Sequence, residues 1–232
     1  MNELVLQAEA LGVELGGRRV VDGVSVQLRS GGLTAVVGPN GAGKTSLLRT
    51  LAGLIPSEGL LRLGETDPRL ASPAELARLR AYCAQRPVCA WDYRVGELGE
   101  IVGRPTAYAG WLAQLEMEGH AERRLSSLSG GELKAAHLAM TFAQLEEPFG
   151  KALLLDEPAA ALDLRRQEAV VRALRRFAAD GAACLVATHE LRFAQGCDQA
   201  LVLAEGRMIA AGPPAAALTP AIVDEAWGRA PA

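Results

Sequence analysis

A mostly parallel α/β sheet covered by helices is predicted by three features of this sequence. Short apolar runs at residues 33–37, 153–155, 184–187 and 200–203 read as buried strands. Helical periodicity lies between them. It is clearest over residues 165–179, where Val170, Val171, Leu174, Phe177 and Ala178 share one face. Strands alternating with helices pack as a parallel sheet with helices on both sides. The third feature is a glycine-rich stretch between the first strand and the helical run 46–52.

That stretch is Gly38, Pro39, Asn40, Gly41, Ala42, Gly43, Lys44 and Thr45. It matches the phosphate-loop pattern of Gly, four residues and Gly-Lys-Thr, in the strand-to-helix setting that the pattern requires. Glycines let the backbone adopt positive φ and wrap closely around an anion. The first helical amides, from Ser46 onward, aim the favourable end of the dipole at phosphates. Lys44 is placed to reach the β and γ oxygens, and the Thr45 hydroxyl to ligate Mg²⁺. A nucleoside triphosphate bound by a phosphate-loop NTPase core is the reading.

Other elements follow in chain order. Residues 4–28 alternate apolar runs with the turns Gly16-Gly17 and Asp22-Gly23, which predicts an N-terminal antiparallel β subdomain. Residues 56–64 read as a turn and strand, 73–79 as a short helix and 81–84 as a strand. From Pro87 to about Ser127 the spacing is helical, with Trp111, Leu112 and Leu115 apolar. Gly and Pro interrupt that stretch, so two or three short helices are expected.

Two further segments carry chemistry. Ala152-Leu153-Leu154-Leu155-Asp156-Glu157-Pro158 is an apolar strand ending in two acids. Such a strand delivers Asp156 rigidly beside the phosphate loop, where it can hold Mg²⁺, and leaves Glu157 to polarise an attacking water. Ser129, Gly130, Gly131 and Glu132 form a turn running into a helix, a second N-terminus able to meet phosphate, with Ser129 as hydroxyl donor.

The chain has 232 residues, half of them hydrophobic, enough for one large α/β domain. A net charge of −3 without a long basic run gives no support for a nucleic-acid partner. Cys83, Cys89, Cys184 and Cys197 lack metal-like spacing and read as reduced thiols. No apolar run approaches about 18 residues and no signal sequence is recognisable, so a chain that neither spans a membrane nor is exported is expected.

With these segments in order, the chain resembles the ATP-binding subunit of ABC transporters over residues 3 to about 228. The resemblance implies a single ABC ATPase domain over 1–232, with a core of 1–86 and 133–232 and a helical lobe of about 87–132. It implies ATP and Mg²⁺ as ligands. Gln85 resembles the Q-loop glutamine, which serves the metal and the catalytic site and joins core to lobe. Ala161-Leu162-Asp163 resembles the D-loop. Thr188-His189-Glu190 carries the switch histidine, His189, at the γ-phosphate. A head-to-tail homodimer is implied, with residues 38–45 of one copy facing Ser129–Glu132 of the other across ATP. His120 and His137 match nothing functional and read as structural or surface residues.

The short spacing over residues 86–128, the extra segment 145–151 and the tail 218–228 resemble the ATPases of cobalamin, haem and ferric-siderophore importers. That branch implies a membrane permease, indirectly a substrate-binding protein, and a peripheral place on the cytoplasmic face of the inner membrane. The alternatives are the ATPase of an exporter or lipid-trafficking complex, and a soluble ABC protein outside transport. Three positions depart from the family pattern. Leu15 stands where an adenine-stacking aromatic is usual, which predicts permissive base choice. Ala159-Ala160 opens the D-loop without a hydroxyl, which predicts weaker cross-dimer hydrogen bonding. Lys134-Ala135 replaces glutamine-arginine, which predicts weaker packing of the helix on the core.

Overall fold

The strand Leu33–Val37 (β3) is buried at every position and sits inside a six-stranded sheet. The computed structural model describes residues 3–87, 91–145 and 147–228. Val88, Cys89 and Ala90 of the expected lobe, and Glu146 of the 145–151 segment, lie outside the described residues.

The chain opens with the antiparallel pair Leu4–Leu15 (β1) and Arg18–Arg29 (β2), joined by the Gly16-Gly17 turn. After β3, the helix Lys44–Leu51 (α1) leads to Glu58–Leu63 (β4), which pairs antiparallel with β1 and completes a three-stranded sheet, β2-β1-β4. The helix Pro73–Leu79 (α2) follows, capped by Ser72 in a capping box with Glu75, and then Arg80–Cys83 (β5). The interrupted stretch forms Glu97–Ile101 (α3), Pro105–Gln114 (α4) and two 3₁₀ turns, before the helix Gly130–Gln144 (α5). The expected boundary at residues 132/133 thus falls inside one helix.

The remaining order is Ala152–Asp156 (β6), Leu164–Ala179 (α6), Ala183–Thr188 (β7), Leu191–Gln195 (α7), Gln199–Ala204 (β8) and Arg207–Gly212 (β9). Pro214–Ala217 (α8) and Pro220–Trp227 (α9) close the described chain. In the larger sheet, β5, β6, β7, β3 and β8 run parallel, and β9 adds an antiparallel edge to β8.

Period-two alternation splits the central strands between two cores. Leu33, Ala35, Val37, Leu153 and Leu155 face the core built with α4, α5 and α6. Val36, Ala152 and Leu154 face the opposite one, with α1 and the β1–β2–β4 sheet. An aromatic cluster pins α4 to the core helices: Trp111 lies 5.0 Å from Phe142 and 5.3 Å from Phe177 between ring centroids. Such contacts add roughly 0.5–1.5 kcal/mol each beyond area burial.

Candidate active site

Four adjacent strands, β5, β6, β7 and β3, end on one edge of the sheet, and their C-terminal ends carry the candidate groups. Ligands of open α/β sheets bind outside that edge. Gln85 follows β5, Asp156 ends β6 and Glu157 follows it. His189 follows β7, and residues 38–45 follow β3.

Gly43 caps α1 at φ 100°, and a Cβ there would lie 2.4 Å from the Val20 carbonyl oxygen. Only glycine lets the loop turn into the helix at this point. Capping by Gly43 starts the helix at Lys44, two residues ahead of the run read from the sequence. Lys44 is buried, and its Nζ donates to the carbonyls of Gly38 (2.7 Å) and Pro39 (3.0 Å). Burial pulls the ammonium pKa down, while Glu157 and Asp156 act to raise it. The remaining loop residues Asn40, Gly41, Ala42 and Gly43, with Lys44, Thr45 and Ser46, line an open cleft of about 850 Å³ that Gln85 and Glu157 also reach. That volume suits a nucleotide.

Asp156 is 1% exposed, and its Oδ2 is buried without a hydrogen-bond partner. Burial raises its pKa, against the pull of the Thr45 hydroxyl, Lys134 and Lys44. A buried carboxylate oxygen left unpaired, on a carboxyl that the Thr45 hydroxyl also meets, offers hard oxygens and fits a divalent cation of the Mg²⁺ kind.

Glu157 adopts φ 46°, a left-handed conformation that costs a non-glycine residue about 1–3 kcal/mol and marks sites where neighbours impose it. Its N–H donates to the Ala187 carbonyl at 2.8 Å. Gln85 Nε2 donates to Glu157 Oε2 at 3.0 Å, and His189 Nδ1 stands 3.2 Å from Glu157 Oε1. One carboxylate therefore joins the ends of β5, β6 and β7.

Ser129 is the N-cap of α5, in a reciprocal box. Its Oγ accepts from the Glu132 N–H (3.3 Å), and Glu132 Oε2 accepts from the Ser129 N–H (2.7 Å). Glu132 Oε1 also meets Arg123 Nη1 at 3.1 Å and His120 Nε2 at 3.0 Å. The Ser129 amide, helped by Arg123 and His120, takes the carboxyl down to about 2. Gly131 packs so closely that a Cβ would lie 2.5 Å from the Ala161 carbonyl oxygen, which presses this turn against the 159–163 loop. Ser129, Gly130, Gly131 and Glu132 are not among the residues lining the cleft.

Three readings gain detail or change. His120 is a partner of Glu132, a role no local sequence signal announces. Leu15 is 42% exposed and is not among the cleft residues; Arg18, Arg19, Val20, Glu205 and Gly206 form that end instead. Lys134 does not loosen its helix. At 3% exposure its Nζ donates to the carbonyls of Ala84 (2.7 Å), Gln85 (3.1 Å) and Asp156 (3.1 Å).

Comparison with known proteins gives the family and the fold. Residues 21–160 match the family model for ABC transporters. The chain is 39% identical over 240 residues to the hemin import ATP-binding protein HmuV of Streptomyces coelicolor, covering 98% of this chain and 84% of that one. The protein of the same name from Deinococcus radiodurans is 37% identical over 232 residues, with 94% and 88% covered. Among solved structures, an ATP-binding subunit of an ABC transporter superposes with a TM-score of 0.81 at 22% identity, covering 90% of each chain. A nucleotide-free ATP-binding cassette superposes at 0.79 and 22% identity, covering 95% and 98%. The two structures support the fold, and the sequence matches support the family. The chain belongs to the ABC transporter family, as an ATP-binding domain that hydrolyses ATP in the service of transport.

Proposed function

We propose that two copies of this chain close on ATP, and that its hydrolysis drives haem import through a membrane permease. The observation that carries the catalytic part is the Glu157 carboxylate, held at once by Gln85 and His189 at the mouth of the phosphate-loop cleft. In that place Glu157 takes the proton from the attacking water, general-base help of roughly 10²–10⁴ in rate. His189 orients Glu157 and reaches toward the γ-phosphate. Lys44 exchanges its loop carbonyls for phosphate oxygens when the nucleotide enters. Thr45, Asp156 and Gln85 would hold Mg²⁺, which would supply charge neutralisation for the phosphoryl group being transferred.

Ser129–Glu132 complete the site of the opposite copy, so each nucleotide lies between two helix N-termini whose mutual repulsion the phosphates offset. Phosphate release weakens that contact and the pair opens. The residues divide into a core of 1–86 and 133–232 and a lobe of about 87–132, and the lobe passes the motion to the permease. Trp91 and Ile101, 71% and 54% exposed, give it an apolar surface for such a partner. No helix of the described residues is long and apolar enough to cross a membrane, so the permease supplies the path. The working place is the cytoplasmic face of the inner membrane, with a substrate-binding protein on the other side.

Haem is favoured over cobalamin or a ferric siderophore because the relatives reported above are named for hemin import. The test is reconstitution of this chain with its neighbouring permease and binding protein in liposomes. Haem uptake that needs internal ATP is expected, and Glu157→Gln should cut both turnover and uptake at least tenfold while ATP binding persists. Uptake of cobalamin or a siderophore instead of haem refutes the substrate; unchanged turnover in the variant refutes the role of Glu157.

A further inference from the structure

Lys134 lies in the first half of α5, the helix capped by Ser129, and is almost wholly removed from solvent. An ammonium has three donors, and here all three are matched by carbonyl oxygens, those of Ala84, Gln85 and Asp156. Those carbonyls lie just past the end of β5 and at the last residue of its neighbour β6. Burial disfavours the charged form, and the nearby Cys83, Asp156 and Glu157 support it. A desolvated charge is tolerated only where its hydrogen bonds are complete, so the geometry of this knot is narrowly fixed.

The two backbones that Lys134 grips carry side chains of the proposed catalytic site. Gln85 donates to Glu157, and Asp156 presents its unpaired oxygen beside Thr45. The same helix presents Ser129 at its start. We infer that Lys134 is a positioning residue of the ATPase, a buried cationic clamp that fixes the Gln85–Glu157 contact relative to the helix that Ser129 caps. The Ser129 turn and the residue joining core to lobe then move as one piece. An apolar side chain at this position leaves all three carbonyls unmatched and lets the segment after β5 shift independently of α5. This inference extends the roles proposed above for Gln85 and Glu157.

The test is a double-mutant cycle on the full chain with K134M, Q85A and the combined variant, reading kcat, KM for ATP and melting temperature. K134M should lower kcat at least tenfold and leave KM for ATP within about threefold, because the phosphate loop is untouched. The double variant should fall no further than the weaker single variant, within about threefold, since both changes disable one unit. Multiplying losses show that Lys134 does not act through Gln85 and overturn the clamp. Full activity of K134M beside an impaired Q85A does the same and leaves the Gln85 assignment standing. Full activity of Q85A itself removes that assignment and the inference with it. Should K134M not fold, K134R, which keeps the charge but displaces its donors, enters the cycle under the same criteria.

Discussion

At the scale of single residues, the acids at the end of β6 stood out because a matching phosphate loop precedes them; alone, an apolar strand that stops at Asp156-Glu157 reads as easily as a solvated turn. The polar groups around them were not. Lys134, His120 and His137 owe their roles to carbonyls, carboxylates and packing brought together from distant segments, and no local pattern encodes that. His137 shows the consequence most simply. It is buried, its Nε2 has no partner, and burial, aided by Lys134, pulls its pKa from 6.5 to about 4. The folded chain thus keeps His137 neutral, while the unfolded chain protonates it below about 6.5. Between those values the unfolded state binds more protons, so stability is complete above the unfolded pKa and is lost as pH falls toward 4. The loss reaches up to about 3 kcal/mol, from the two pKa values and about 1.4 kcal/mol per unit. Urea unfolding between pH 7 and pH 4.5 checks it: the acid slope should flatten in His137→Leu. An unchanged slope would assign the acid sensitivity elsewhere.

At the scale of elements, the strands of the parallel sheet were read within a residue or two, since fully buried runs of leucine, valine and alanine leave little choice. The edge strand β9 was missed because its residues are only partly buried and its apolar pattern is weak. Its turn matters to the site. Gly206 donates to the Ala42 carbonyl and accepts from the Asp22 N–H, which ties the β8–β9 turn to both the phosphate loop and β2. The far end of the cleft is built from that turn and from Arg18, Arg19 and Val20, with Leu15 outside it. A guanidinium stacks on any base face, and an exposed Glu205 carboxylate accepts from the exocyclic amine of either purine. GTP should therefore support hydrolysis within about tenfold of ATP, a difference of at most roughly 1.4 kcal/mol. Arg18→Ala should raise KM for both nucleotides alike. Strong rejection of GTP, or an effect of Arg18→Ala on one nucleotide alone, would point to a base-reading group at another position.

At the scale of the whole molecule, the cleft of one copy is an incomplete site in the proposed mechanism. The phosphate loop, Gln85 and Glu157 line it, whereas the Ser129 cap, braced by Glu132, Arg123 and His120, does not. In that proposal, the fixed helix N-terminus, apart from its own chain's cleft, finds its use against a second copy. That reading predicts that Ser129→Arg abolishes hydrolysis while sparing ATP binding, because the bulky cation blocks the opposite copy's γ-phosphate. Lys44→Ala is inactive for the other reason, loss of its own phosphate contact. Mixing the two inactive variants yields dimers in which one site keeps both intact halves: the phosphate loop of the Ser129→Arg copy and the Ser129 turn of the Lys44→Ala copy. If the two sites turn over independently, an equal mixture should recover roughly a quarter of the native rate, since about half of the dimers are mixed and each has one whole site. Recovery above both parents establishes a shared site. A fully active Ser129→Arg variant would instead place the whole catalytic apparatus within a single copy.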